Sequence, residues 1–119
     1  MTDQVSAVTT HVLDTARGVP AAGVAVRLEQ VSGPEPVEIA VSATDRDGRA
    51  RSLGPTRLPP GRYRLVFDTG AYLDGQRQGG EPAAFFPEVA VTFLMDGTTA
   101  HYHVPLLLSP FGYSTYRGS

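Results

Sequence analysis

Apolar and polar positions alternate in short stretches along this chain. In "VAVRLEQV", Val24, Val26 and Leu28 fall in one phase and Arg27 and Glu29 in the other, the period of two that a strand with one buried face produces. "RYRLVFD" repeats the pattern with Tyr63, Leu65 and Phe67 in phase, and "VEIAVSATD" with Val37, Ile39 and Val41, which the alternation places inward. "VSAVTTHVLD" is rich in β-branched residues and reads as a first strand ending near Asp14. "EVAVTFLMD" and "TTAHYHVPLLL" read as two more, "SPFGYSTYR" as a short last strand after a Ser-Pro turn, and Ala50–Leu53 as a short edge strand. "TGAYLDGQRQ" is the one helix predicted, with Thr69 as its N-cap candidate. Gly70 and Gly75 weaken it.

The segments between these stretches carry most of the 13 glycines and 10 prolines. Punctuation every eight to twelve residues or so is the rhythm of an all-β sandwich or barrel. The pattern predicts roughly seven or eight strands and one short helix, in a single domain spanning the 119 residues. Residues 1–5 are expected to be a flexible N-terminal segment.

Composition narrows the function classes. The chain has no cysteine, which removes disulfides and thiolate metal sites. Ten Lys and Arg against twelve Asp and Glu give a formal net charge of −2. That balance leaves no basic stripe for nucleic acid. No apolar run approaches the ~20 residues of a membrane span, and "MTDQVSAVTT" shows neither a basic n-region nor an apolar h-region. The last residues are not a prenylation or peroxisomal address. A soluble cytoplasmic protein is the expectation, with no nucleic-acid and no membrane partner.

The chemistry gathers at "HYHVPLLLSPFGYSTYRGS", which holds two of the three histidines and three of the five tyrosines. In a strand, residues two apart share a face about 6.5 Å from each other. His101 and His103 therefore point together, and Tyr102 points away. If the first strand lies beside this one, His11 joins them. Three readings stay open. The histidines form a His₃ zinc site with an open position, or a metal-free general-base site with Arg49 as electrostatic partner, or they are ordinary polar residues of a half-exposed strand. No carboxylate is placed to support a zinc ligand from behind. "DRDGR" lacks the late glutamate of a calcium loop and reads as a β-turn that aims Arg49. GxSxG, HExxH and phosphate-loop patterns are absent, and neither Ser114 nor Ser119 has the sequence context of a nucleophile.

Four segments together resemble the transthyretin-related 5-hydroxyisourate hydrolase family: "HVLDTARGVPAAGVAVRLE", "TDRDGR", "FFPEVAVTF" and "HYHVPLLLSPFGYSTYRGS". The resemblance runs from about Thr10 to Ser119, with the loop Gly54–Pro60 unmatched. It implies an all-β, transthyretin-like (prealbumin-like) two-sheet sandwich. It also implies a homotetramer, a dimer of dimers whose central channel holds the active sites. The implied reaction is metal-independent hydrolysis of a ring amide of 5-hydroxyisourate to 2-oxo-4-hydroxy-4-carboxy-5-ureidoimidazoline, without a cofactor. His11, Arg49, His103 and Ser119 match catalytic positions. His11, Arg49, Tyr116, His101 and Arg117 match positions expected to bind substrate, and Tyr116–Ser119 is the tetrapeptide that closes the site. The alternative within the same fold is a non-catalytic carrier of a small ligand, as transthyretin is for hormone.

Overall fold

The computed structural model describes residues 5–119. The flexible segment expected over residues 1–5 lies, apart from Val5, outside the described residues. Nine strands and one helix follow in chain order: β1 (Val8–Asp14), β2 (Val19–Pro20), β3 (Ala25–Gln30), β4 (Val37–Ala43), β5 (Arg49–Ala50), β6 (Gly61–Phe67), α1 (Thr69–Gln76), β7 (Val89–Met95), β8 (Tyr102–Leu108) and β9 (Tyr113–Thr115). Two of the nine, β2 and β5, are only two residues long; the edge strand expected at Ala50–Leu53 is realised only as Arg49–Ala50, and β2 is a pairing that the sequence does not announce.

The strands form two sheets. One runs β4-β3-β6-β7 and the other β2-β1-β8-β9, with β5 also paired to β1. All pairings are antiparallel except β1 with β8, which run parallel from Val8↔Tyr102 to Asp14↔Leu108. The core lies between the sheets. Val8, Val12, Leu106 and Leu108 pack there against Val26, Leu28, Tyr63, Leu65 and Phe67, all essentially inaccessible to water. Even-numbered residues of β1 and β8 thus face inward, and odd-numbered Thr9, His11 and His103 come out on the far face of that sheet.

Three expectations need correction. In β4, Val37 and Val41 face solvent at 57% and 64% exposure. The ladder with β3 shifts between Leu28 and Glu29, so Leu28 pairs with Ala40 while Glu29 pairs with Glu38. Ile39 is the extra residue of this bulge and turns toward the core, and Val41 pairs with outward Arg27. A bulge resets the phase of a strand, which simple alternation cannot anticipate. The N-cap of α1 is Asp68, whose side chain accepts from the Ala71 N–H. Thr69 is the first helical residue and donates its hydroxyl to the Phe86 carbonyl at 2.6 Å. Lastly, β8 begins at Tyr102, which leaves His101 just before the strand.

Behind the sheet, Asp14 fixes the end of β1. Its carboxylate is 1% exposed and accepts from the Tyr72 hydroxyl at 2.8 Å and from the Ala16 and Arg17 N–H groups. Burial, then the hydrogen bond to Asp14, pushes the Tyr72 phenol up to about 12. Arg17 extends the tie to the Gln76 carbonyl and the Glu81 carboxylate.

Candidate active site

The turn "DRDGR" aims Arg49 by backbone chemistry. Asp45 accepts the N–H groups of Asp47 and Arg49 on one carboxylate oxygen, at 2.9 and 3.0 Å. These bonds, the one from Arg49 foremost, hold the Asp45 carboxyl below its usual range. Gly48 has φ +79°, and a Cβ there would meet the Val12 carbonyl oxygen at 2.4 Å. Only glycine fits that conformation and that approach. The Gly48 carbonyl accepts the Val12 N–H at 2.7 Å, which lays β5 along β1 with Arg49 opposite His11.

The histidines come from the other side of β1. His103 sits on β8 opposite Thr9. The Thr9 hydroxyl oxygen lies 2.8 Å from Nδ1 of His103 and 2.9 Å from Nε2 of His101. The two imidazoles are stacked, centroids 6.4 Å apart and 25° from parallel. The approach to β8 is ordered by Asp96, which accepts from the hydroxyl and N–H of Thr98 and from the Tyr102 hydroxyl; these bring its carboxyl down to about 2. Behind His103, the Gly118 N–H donates to the His103 carbonyl at 2.8 Å. This close pairing folds the last residues back onto the sheet.

The result is an open cleft of about 220 Å³ lined by Thr9, Arg49, Arg51, His101, His103 and Ser119, with Val5 at its rim. Burial first, then the positive charge of Arg49 and the neighbouring histidines, holds the His103 imidazole below its ordinary range. An imidazole so placed stays unprotonated, and thus able to take a proton, to lower pH than a free one.

Of the residues singled out in the sequence, His101, His103, Arg49 and Ser119 line this cleft. His11 stands beside it, across the ladder from Arg49. Its Nε2 is 2.8 Å from the Asp47 carbonyl; a carbonyl only accepts, so this nitrogen carries the hydrogen. Tyr116 and Arg117 are not brought to the cleft within one chain. They open onto an adjacent apolar groove with Val91, Phe93 and Val104, where the Arg117 guanidinium lies 4.9 Å over the Tyr102 ring. Among the described residues no group of three His, Cys, Asp or Glu is gathered closely enough to hold a metal ion. Sequence reasoning missed Thr9 and Arg51. Thr9 stands two residues before His11 and so shares its face, a signal available once β1 is recognised as a strand.

Fold and site define the class: a two-sheet, transthyretin-like sandwich carrying an arginine and a histidine pair on the outer face of one sheet. The model of the HIUase/Transthyretin family matches residues 8–118, and the chain belongs to that family. It is similar to a 5-hydroxyisourate hydrolase of Mus musculus, 45% identical with both chains covered in full. Among solved structures it is similar to 5-hydroxyisourate hydrolase of Klebsiella pneumoniae, with TM-score 0.82, 35% identity, and 96% of this chain and 99% of that one covered. It is also similar to transthyretin from Sparus aurata, with TM-score 0.81, 33% identity and coverage of 94% and 96%.

Proposed function

We propose that the protein is a 5-hydroxyisourate hydrolase that opens a ring amide of its substrate to give 2-oxo-4-hydroxy-4-carboxy-5-ureidoimidazoline, a step of urate breakdown. The observation that carries this reading is His103, its imidazole held below the ordinary range beside Arg49 in an open cleft, on a chain similar over its full length to a hydrolase of that name. His103 takes a proton from water as the water oxygen attacks the amide carbonyl. Arg49 stabilises the oxyanion of the tetrahedral intermediate. The C–N bond then breaks, the ring nitrogen receives the proton from His103, and the carboxyl group is left on carbon. His11 and Ser119 flank the reacting atoms, and His101 supports His103. A carrier of an aromatic hormone has no need of two imidazoles and two guanidiniums around one cleft.

The assembly proposed is a homotetramer, a dimer of dimers. Supporting it are the exposed Leu94, Tyr113 and Tyr116, on or beside the terminal strands of the two sheets. Facing subunits would enclose the cleft, and Tyr116 and Arg117 would complete substrate binding there. No described helix is long and apolar enough to cross a membrane; the proposed location is the cytoplasm.

The test is the ultraviolet decay of freshly prepared 5-hydroxyisourate with the wild-type protein, His103→Asn and Arg49→Ala. The wild type should accelerate decay, and each variant should retain under about a tenth of turnover, since general acid–base help is worth about 10²–10⁴. No acceleration by the wild type refutes the proposal. A variant that keeps full turnover refutes the role given to that residue.

A further inference from the structure

Thr9 does not touch the reacting atoms, yet its hydroxyl touches both imidazoles. The residue is 5% exposed, and among the described residues its oxygen has no partner besides Nε2 of His101 and Nδ1 of His103. A hydroxyl donates one hydrogen and accepts on its lone pairs. Set between these two nitrogens, the hydroxyl can give its hydrogen to one ring while accepting an N–H from the other. In that arrangement the two rings are coupled: a change at the nitrogen of one ring that faces Thr9 is answered at the other.

Resting on the hydrolase reading, we propose that Thr9 is a positioning residue that acts as a proton bridge between the imidazoles. In the resting state Nδ1–H of His103 donates to Oγ1, and the hydroxyl donates to Nε2 of His101. Nδ1 of His103 is committed to Thr9, so its remaining nitrogen, Nε2, serves the cleft. The positive charge of Arg49 bears on His103 and favours a lone pair at that nitrogen over an N–H. When Nε2 of His103 takes a proton from water, the Nδ1 hydrogen passes to Oγ1 and the hydroxyl hydrogen passes to Nε2 of His101. The charge comes to rest on His101, the more exposed ring. His103 is left neutral with an N–H at Nε2, which is the acid the departing ring nitrogen requires. Delivery of that hydrogen, with the reverse shift through Thr9, restores the resting state. Protons balance at each step, and no other reactant is needed.

The test is nitrogen-15 NMR of the histidine rings in the substrate-free protein, at a pH where both are neutral, with turnover measured on the same samples. Wild type should show both His101 and His103 in the Nδ1–H form, the minor form of a free imidazole side chain. Thr9→Ser keeps the hydroxyl and should keep these tautomers, with kcat within about threefold. Thr9→Val keeps the shape and removes the bridge. It should return His103 to the Nε2–H form and lower kcat at least tenfold with little change in KM, because what is lost is part of the 10²–10⁴ or so that acid–base help contributes. Wild-type rings in the Nε2–H form overturn the proposal, as does a Thr9→Val variant with unchanged kcat, or a Thr9→Ser variant as slow as Thr9→Val. If Thr9→Val does not fold, the wild-type spectrum and Thr9→Ser still decide. An inactive wild type overturns the hydrolase reading instead, and the spectra, which need no substrate, tell the two failures apart.

Discussion

A methyl group on Gly118 tests whether the last residues belong to the site. Gly118 lies outside the left-handed region that favours glycine, so alanine meets no backbone strain there. What it meets is a side chain. An added Cβ would lie 2.6 Å from Cδ2 of His103, 3.4 Å from its Cγ and 3.2 Å from Cγ of Pro105. Ordinary contacts between carbons sit at about 3.5–4.0 Å, so close to 1 Å of movement is required. The His103 ring yields only by leaving the Thr9 hydroxyl at 2.8 Å. The terminal segment yields by giving up the hydrogen bond from Gly118 to His103, worth about 0.5–1.5 kcal/mol. The second route is the cheaper, since Ser119 and Arg117 hold few other contacts. Gly118→Ala should then lose about 1 kcal/mol of stability, a fall of about 3–6 °C in Tm for a domain of this size. Yet kcat/KM should fall tenfold or more, because either route moves a group that lines the cleft. Thermal unfolding followed by circular dichroism, paired with the decay of 5-hydroxyisourate, gives both numbers on one preparation. Wild-type turnover in a folded Gly118→Ala protein would show that neither the His103 ring nor the terminal residues need their observed places, and the site as built here would be wrong.

Residues appended after Ser119 should abolish turnover, and the same extension before Met1 should not, because Ser119 lines the cleft; purified proteins tagged at either end, compared in the decay assay, check this. The acid limb of the kcat/KM profile should fall below 6.5, the ordinary imidazole value, since the His103 imidazole is held below it. Arg49→Ala should move whatever limb remains upward, because removing a positive neighbour makes protonation easier. The same lowered value makes the unfolded chain bind the proton more readily. The stability that neutral His103 contributes is therefore present above about pH 6.5 and lost as pH falls through its folded value, which denaturant titrations at several pH values will show.

Much of this fold is legible in the sequence because the apolar residues of its central strands keep phase. In β3 and β6, Val26, Leu28, Tyr63, Leu65 and Phe67 are all buried as the alternation requires, although Glu29 and Val66, in the other phase, are buried as well. The Asp-Gly turn follows equally from local rules, whereas His101, just before β8, meets His103 through the Thr9 hydroxyl. The rest depends on neighbours. Ile39 enters the core because β3 and β4 differ by one residue in count, which neither strand shows alone. Thr9 reads as one more β-branched strand residue until the parallel register sets it opposite His103. Tyr116 and Arg117 lie beyond β9, where the chain no longer alternates and a period of two assigns no face.

The parallel pairing of β1 with β8 has a consequence for how the protein is made. The Thr9–His103 hydrogen bond joins residues 94 apart in sequence, and the cleft also draws on Arg49, Arg51 and Ser119. No fragment holds a working part of the site. During synthesis the β3–β6 half can form early, while β1 waits with an unpaired edge until β8 has emerged. Closing so long a loop is slow, and pairings of this kind fold on the scale of milliseconds to seconds. Catalytic competence therefore arrives in a single late event, when β8 pairs with β1.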